Sequence, residues 1–460
     1  MRRRNFLGLG LTGGLAGLMG STSTLRASDS TKGRAKQVII VFEQGGMSHL
    51  DTWDPKPETI AEHRSPYQPI DTNVPGIQLT SLMPNVARQA DKLAIVRSMC
   101  HTINDHGAGA KYVLQGVKPG GAVEMPDLGA AISQRIGSNA KYLPPYVMIP
   151  GNGEMSGYAP TPGFLSPAWK AFRTQGRDLS QPGWKVADLG LIGGLDDRRF
   201  RNRRDLLSNL DVGLLTTGNP TDVSKSREMT GFFEHAFDML SNPRTQTAFD
   251  LTQESTATRE QYGMGHRGQC YLLARRLVES GVRVVALEVR ENESPTTPGG
   301  FNMNWDHHDE IYTSGSCGTV RNKAGGEGRY GIGHWVMTGS TDRAFAALLA
   351  DLHERGLLSE TLVCFVTEFG RTPKLNKFQG RDHWSNAFSI AFAGAGVRGG
   401  QVIGKTDKDG GYVLDQLYTL DDYAATVIEF LGIDRETPTY TRENRPVFLV
   451  PEGRAIERLV

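Results

Sequence analysis

An α/β fold, with a mostly parallel central sheet and helices on both faces, is what this 460-residue sequence predicts. Three observations carry that expectation. Short apolar runs rich in β-branched residues recur along the chain, as strands buried on both faces require. Segments with helical spacing separate them, giving the alternation that builds parallel sheets. Clusters of His, Asp, Glu and Gly follow directly after several runs, where sites collect beyond the carboxyl ends of strands.

Gln37-Val38-Ile39-Ile40-Val41-Phe42 reads as the first strand, ended by Glu43-Gln44-Gly45-Gly46. Residues 83–90 predict a helix, 93–97 a second strand, and 107–114, rich in small residues with His106 just ahead, another helix. Residues 145–149 predict a third strand, and the Gly and Pro density of 151–183 points to an irregular surface excursion. From 198 to 280 the chain is polar and periodic, with Phe232, Phe233, Phe237 and Leu240, then Tyr271, Leu272 and Leu277, at helical spacing. This stretch reads as an inserted helical layer. A strand returns at 281–287. Residues 342–355 form the clearest amphipathic helix, with Phe345, Leu348, Leu349 and Leu352 on one face, His353 toward solvent and Gly356 at its stop. Strands at 362–366 and 388–392 follow, and Asp421-Asp422 is expected to cap a closing helix that runs to Leu431.

The balance of 51 basic and 50 acidic residues creates no global field, which argues against nucleic acid or an anionic membrane as the main partner. Arg2-Arg3-Arg4-Asn5-Phe6-Leu7, a Gly-rich apolar run over 8–20 and Leu25-Arg26-Ala27 resemble a twin-arginine export signal over residues 1–27. That apolar run is too short to span a bilayer, so no stable membrane span is expected after processing. The implied location is the periplasm or the cell exterior, reached through the twin-arginine machinery. Residues 36–460 then form one domain. Cys100, Cys270, Cys317 and Cys364 lack zinc-type spacing, and no disulfide framework follows. Cys364 and Cys100 belong to apolar runs and read as packing residues.

Four clusters hold candidate chemistry. Glu43 to His49 combines glycines with polar side chains. His101 to His106, with Asn104 and Asp105, precedes a small-residue helix. Trp305-Asp306-His307-His308-Asp309 offers oxygen and nitrogen donors that suit zinc, manganese or a similar divalent ion better than calcium. The fourth contains Glu368, Arg371, Arg381, Asp382 and His383, where two guanidiniums beside carboxylate and imidazole suit an anionic substrate next to a metal. His49, His63, His235, His266, His334 and His353 are read as structural.

Gly45-Gly46-Met47-Ser48-His49-Leu50-Asp51-Thr52-Trp53-Asp54-Pro55-Lys56-Pro57, Glu368-Phe369-Gly370-Arg371-Thr372-Pro373 and Gly380-Arg381-Asp382-His383-Trp384 resemble domain-of-unknown-function family 1501. The resemblance covers nearly everything after the export segment and implies a fold similar to the alkaline phosphatase and sulfatase superfamily. In that superfamily a carboxylate ends the first strand, a nucleophile heads a helix, and Asp and His on later strand ends hold metal. Here Glu43 or Gln44 stands at the first-strand position, and Glu368-Phe369-Gly370 stands where an Asp-His-Gly is usual. Counting ten residues back from Gly116 puts His106 in the nucleophile position, with no sulfatase Cys signature around it. The resemblance therefore implies one intact metal centre, with Asp306, His308, His383, Glu368 and Asp382 as candidate ligands and His106, Arg371 and Arg381 as catalytic candidates. The expected activity is metal-dependent hydrolysis of sulfate or phosphate esters on an anionic small molecule or glycan. The alternative is a catalytically degenerate protein that binds an anionic glycan or envelope polymer.

Overall fold

A single device, an apolar run whose alternate residues face two helical layers, builds the central sheet. The computed structural model describes residues 33–150, 158–175, 178–186, 189, 198–200, 202–206, 220–288, 305–312, 316–317 and 329–460. Its eight-stranded sheet comprises β1 (Gln37–Phe42), β2 (Leu93–Met99), β3 (Tyr146–Ile149), β4 (Phe172–Arg173), β5 (Val284–Glu288), β6 (Thr361–Val366), β7 (Phe388–Ala393) and β8 (Gln401–Ile403). Their spatial order is β8-β2-β7-β6-β1-β5-β3-β4. Only β7 runs against its neighbours, so the sheet is mostly parallel, as the composition of the runs predicts.

In β1, Ile39 and Val41 enter one apolar core while Val38, Ile40 and Phe42 enter the other. The first core is closed by α6 (His266–Ser280) and α7 (Ser340–Glu354), through Leu272, Leu273, Leu277, Phe345, Leu348, Leu349 and Leu352. The second is closed by α1 (His106–Gln115), α2 (Leu128–Ile136) and α8 (Leu420–Phe430), through Val113, Leu128, Ile132, Val427 and Ile428. Fully burying each such aliphatic side chain contributes on the order of 1.5–3 kcal/mol, which outweighs the weak propensity of glycine-rich segments such as α1. Cys364 is buried in β6 and Cys100 half-buried just past β2, both as free thiols.

Three expectations change in detail. The helix placed at 83–90 shortens to one turn, Pro84–Ala87, followed by a 3-10 turn at Ala90–Lys92. Met83 at the N-cap has no capping side chain to extend it. The cap of α8 is Thr419, reciprocated by Asp422, rather than the Asp421-Asp422 pair. Within 198–280, α3 (Pro220–Ser241), α4 (Pro243–Phe249) and α5 (Thr256–Tyr262) precede α6, and α6 itself belongs to the sheet's own helical layer. Its polar residues misled the assignment, because Arg267, Arg275 and Gln269 are buried in hydrogen-bonded networks. Thr31–Val460 form one compact unit. The expected export segment, residues 1–27, lies outside the described residues, and no helix among those residues is long and apolar enough to cross a membrane.

Candidate metal centre

Four loops at the C-terminal edge of the sheet bring the chemistry together. The loop after β1 supplies Gly45 and Gly46, α1 begins at His106, residues 305–308 carry Asp306 and His308, and the loop after β6 leads through Glu368 to a two-residue ribbon. That ribbon pairs Arg371 with His383 and so sets the second imidazole opposite the first guanidinium. Asp105 caps α1 by accepting from the Ala108 N–H, which fixes the helix start at His106. Gly109 matters here, since a Cβ added to it would lie 3.0 Å from the Glu368 Cβ and push that side chain out.

Asp306 Oδ1 is the hub. His106 Nε2 lies 3.1 Å away, His308 Nε2 3.0 Å, His383 Nε2 3.1 Å and Arg371 Nη2 2.8 Å. His308 Nε2 and His383 Nε2 are themselves 2.9 Å apart. The far nitrogen of each ring faces a group that can only accept. His106 Nδ1 is 2.7 Å from Glu368 Oε1, His308 Nδ1 3.0 Å from Asp382 Oδ1, and His383 Nδ1 2.6 Å from the Asn104 carbonyl. Each Nδ1 is thus placed to carry a hydrogen, an assignment inferred from the partners, while each Nε2 is turned inward to the Asp306 carboxylate oxygen. Three imidazole Nε2 atoms and a carboxylate oxygen crowd one point, with the buried His106 Nε2 3.1 Å from Asp306 Oδ1.

Protonation responds to that crowding. Burial pulls the His106 ring down, but the Asp306 and Glu368 carboxylates outweigh it and lift it to about 9. Burial pushes the Asp306 carboxyl up, yet its imidazole partners and the Arg371 guanidinium hold it far below the usual carboxylate range. Glu368 is held down against its own burial by His106 and the Gly45 N–H. Positive charge is thus demanded at this point, either as imidazolium protons or as a cation. Imidazole Nε2 atoms backed by acceptors on Nδ1 are the donor arrangement of metal sites, and mixed nitrogen and oxygen donors suit zinc or another borderline divalent ion. Among the described residues, His106, Asp306 and His383 place their ligating atoms within 4.8 Å of one another.

The expected residues divide. Asp306, His308, His383 and His106 converge. Glu368, expected as a ligand, sits behind His106, with Oε1 shared by the ring and the Gly45 N–H and Oε2 against Thr367 Oγ1. Asp382, also expected as a ligand, backs His308 from the solvent side and is held by Asn376. The arginines do not face a substrate. Arg371, with no exposed side-chain surface, is spent on the Gly45, Gly46 and Arg381 carbonyls and on Asp306. Arg381 is equally buried and holds Asp51, Tyr312 and the His63, Thr372 and Pro373 carbonyls. A guanidinium so fully bonded has no donor to spare for an anion.

Sequence reasoning assigned no role to Asn104, although it stood in the second cluster, and passed over Tyr312. It also set Glu43 or Gln44 at the position of the first-strand carboxylate. Glu43 instead accepts from Tyr271 Oη at 2.6 Å and Trp305 Nε1 at 2.8 Å, with Arg267 Nη2 at 3.4 Å. His49, read as structural, is buried with Nε2 on the Gly410 carbonyl.

Among solved structures, the chain is similar to the phosphonate monoester hydrolase SpPMH of Silicibacter pomeroyi, at 10% identity and a TM-score of 0.40 over 92% of this chain and 76% of that one. The phosphonate monoester hydrolase of Agrobacterium radiobacter gives 11% and 0.38 over 92% and 77%. The PsFucS1 sulfatase of a Pseudoalteromonas species gives 12% and 0.37 over 88% and 69%. No curated protein matches the chain. Residues 35–460 match the family described as "Protein of unknown function (DUF1501)", the family its motifs resemble, and the chain belongs to it.

Proposed function

We propose that this protein is a metal-dependent hydrolase of phosphate or sulfate esters, exported by the twin-arginine route to the periplasm or cell exterior. The observation that carries the catalytic reading is the meeting of three Nε2 atoms on one carboxylate oxygen, with every Nδ1 already held by an acceptor. Arg2-Arg3-Arg4-Asn5-Phe6-Leu7 and the apolar run after it support the export reading.

Asp306, His308 and His383 would hold the ion, three protein ligands leaving a position open as catalytic sites do. A divalent ion supplies Lewis acidity toward the ester oxygen and lowers the pKa of a water to about 7. The chain's own part follows from its geometry. Asp382 and Asn104 keep the His308 and His383 rings turned inward. Arg371 orients Asp306 and offsets its charge. His106 presents Nε2 beside the centre, and Glu368 behind it stabilises the ring when it carries positive charge. With Arg371 and Arg381 committed elsewhere, recognition of the anion falls to the ion and to His106.

The test is metal analysis of protein purified without added ions, coupled to turnover on a panel of aryl phosphate, phosphonate and sulfate esters. Stoichiometric metal and turnover on at least one ester, both lost in a double Asp306→Ala, His383→Ala variant, are the expected result. Metal without turnover on any ester would favour the binding-protein alternative, and a metal-free parent would remove the centre itself.

A further inference from the structure

We propose that the alcohol half of the ester is a sugar, and that a cavity beside the metal centre holds the ring adjoining the esterified one. The inference rests on the metal-centre reading and names the substrate class of that same site.

The cavity, about 830 Å³, opens between the segment after β2, the turn before β7 and the start of α8. Its size suits a small organic ligand, for which roughly 300–1,000 Å³ is usual. Two stretches of chain join it to the metal centre. Asn104 gives its carbonyl to His383, while Cys100 and Thr102, a few residues earlier, line the cavity. His383 reaches Asp306, while Asn386 in the same stretch lines the cavity. The stretches are bound to each other, the His101 N–H donating to the Ser385 carbonyl at 2.9 Å and the Ser385 N–H to Asn104 Oδ1 at 2.8 Å. Three residues span at most about 11 Å, so one molecule held at Asn386 can also touch the centre at His383. Residues 412–417 make a further connection along the surface. Tyr412 meets the Trp384 ring at a centroid distance of 5.5 Å, Leu417 lines the cavity, and Tyr412, Leu414 and Leu417 are each more than half exposed.

The chemistry of the lining selects the ligand. Lys118 and Arg454 stand against Asp421, Asp422 and Glu452, so neither an anion nor an ammonium finds a uniform field. Asp421 is engaged by Tyr112 Oη, and Asp422 by Thr419 Oγ1 and the Arg454 N–H. Lys118, Arg454, Glu452 and Asn386 form no side-chain hydrogen bond or ion pair among the described residues. Two of these only donate, one only accepts, and the amide does both. A hydroxyl donates one hydrogen bond and accepts two, so a polyhydroxylated ring can serve all four where a singly charged group cannot. Leu417 and the half-buried Tyr418 add apolar surface for the C–H face of such a ring.

The test offers the metal-loaded protein phosphate and sulfate monoesters of glucose, galactose and N-acetylglucosamine, each as the monosaccharide and as a disaccharide whose second ring is unesterified. For at least one sugar the disaccharide should show a KM lower by about tenfold or more, because contacts made alike before and during the reaction lower KM and not kcat. Asn386→Ala and, separately, Lys118→Ala should raise the disaccharide KM until that ratio is below about threefold, the signature of lost uniform binding. Saturation-transfer NMR with metal-free wild type supplies a readout independent of turnover: transfer to at least one of maltose, lactose and chitobiose, lost in both variants, is expected. Hydrolysis of monosaccharide esters with equal KM in every mono- and disaccharide pair, and no saturation transfer, would overturn the sugar site and leave the hydrolase reading standing. Saturation transfer that depends on Asn386 in a protein that hydrolyses no ester would uphold the sugar site and remove the hydrolase reading instead. A KM gain that appears only when the second ring carries a carboxylate, a sulfate or an amine would overturn the charge argument and, with it, the choice of a neutral ring.

Discussion

Two buried carboxylates, Glu43 and Asp306, stand at the same edge of the sheet, and the adjacent residues Trp305 and Asp306 serve one cluster each. Glu43 is surrounded by donors: a phenol, an indole N–H and a guanidinium. Both of its oxygens meet hydrogens from these donors. The recorded partners of Asp306 Oδ1 are one guanidinium and three imidazole Nε2 atoms, each ring having an acceptor on its other nitrogen. The residue classes overlap. What separates a structural lock from a centre that calls for a cation is the ratio of donors to acceptors, which depends on which ring nitrogen each neighbour occupies.

The sharpest break between the two clusters is metal content. The Asp306→Ala, His383→Ala double variant should lose metal affinity by more than the roughly 100-fold that outer-shell changes cause, read by competition with a chromogenic chelator. Glu43→Ala should leave that affinity within about threefold and cost stability instead. It strips the carboxylate from buried Arg267, whose other recorded bonds go to the Met337 carbonyl and Ser340 Oγ. About 3–5 kcal/mol in urea unfolding is the expected loss. Metal loss in the Glu43 variant at unchanged stability would erase the distinction.

Much of this was legible in the chain. Apolar runs announced β1, β2, β6 and β7, because a strand buried on both faces can tolerate almost no polar residue. Asp306, His308, His383 and His106 were nameable because ligand-type residues directly after such runs have few structural duties that require them. Distinguishing ligand from support was not legible. Whether Glu368 faces the ion or the back of His106 depends on the close approach at Gly109, which is a tertiary contact. The arginines misled for a related reason: Arg371 and Arg381 look like anion clamps by type, yet loop carbonyls that need donors consume them. The polar face of α6 hid a core helix because its charges are paired inside, and a one-dimensional pattern cannot show pairing.

His101 gives the comparison a third member, an imidazole saturated like Glu43. Its Nε2–H donates to the Glu368 carbonyl and its Nδ1 accepts from the Ile103 N–H. Burial, only partly offset by Glu368, lowers it to about 4. Below its ordinary value of 6.5 the unfolded chain therefore binds a proton that the folded protein refuses until about pH 4. Stability present above pH 6.5 is lost as pH falls through that window, by about 3 kcal/mol at most. Urea midpoints at pH 7.5, 5.5 and 4.5 should show a drop that is shallower in His101→Gln. Parallel curves for the two proteins would mean that another group drives the acid loss.

The smallest expected effect lies at the boundary between lock and site. Asp382 accepts from His308 Nδ1 and Asn376 Nδ2, but its side chain is 54% exposed, so solvent screens much of its influence. Outer-shell carboxylates typically change metal affinity 10–100-fold, and exposure puts this one at the lower end, about 10-fold for Asp382→Ala. Asp382→Asn keeps an oxygen in place to accept from Nδ1 and hold the tautomer, so it should cost less than the alanine variant. Both should leave the urea midpoint of the metal-free protein unchanged, since a half-exposed acceptor contributes little to folding. The order alanine worse than asparagine, with no stability change, would mean that Asp382 acts by aiming His308. Equal affinity in all three proteins would mean that His308, the most exposed of the three rings, does not bind the ion, leaving His106, Asp306 and His383 as the ligand set.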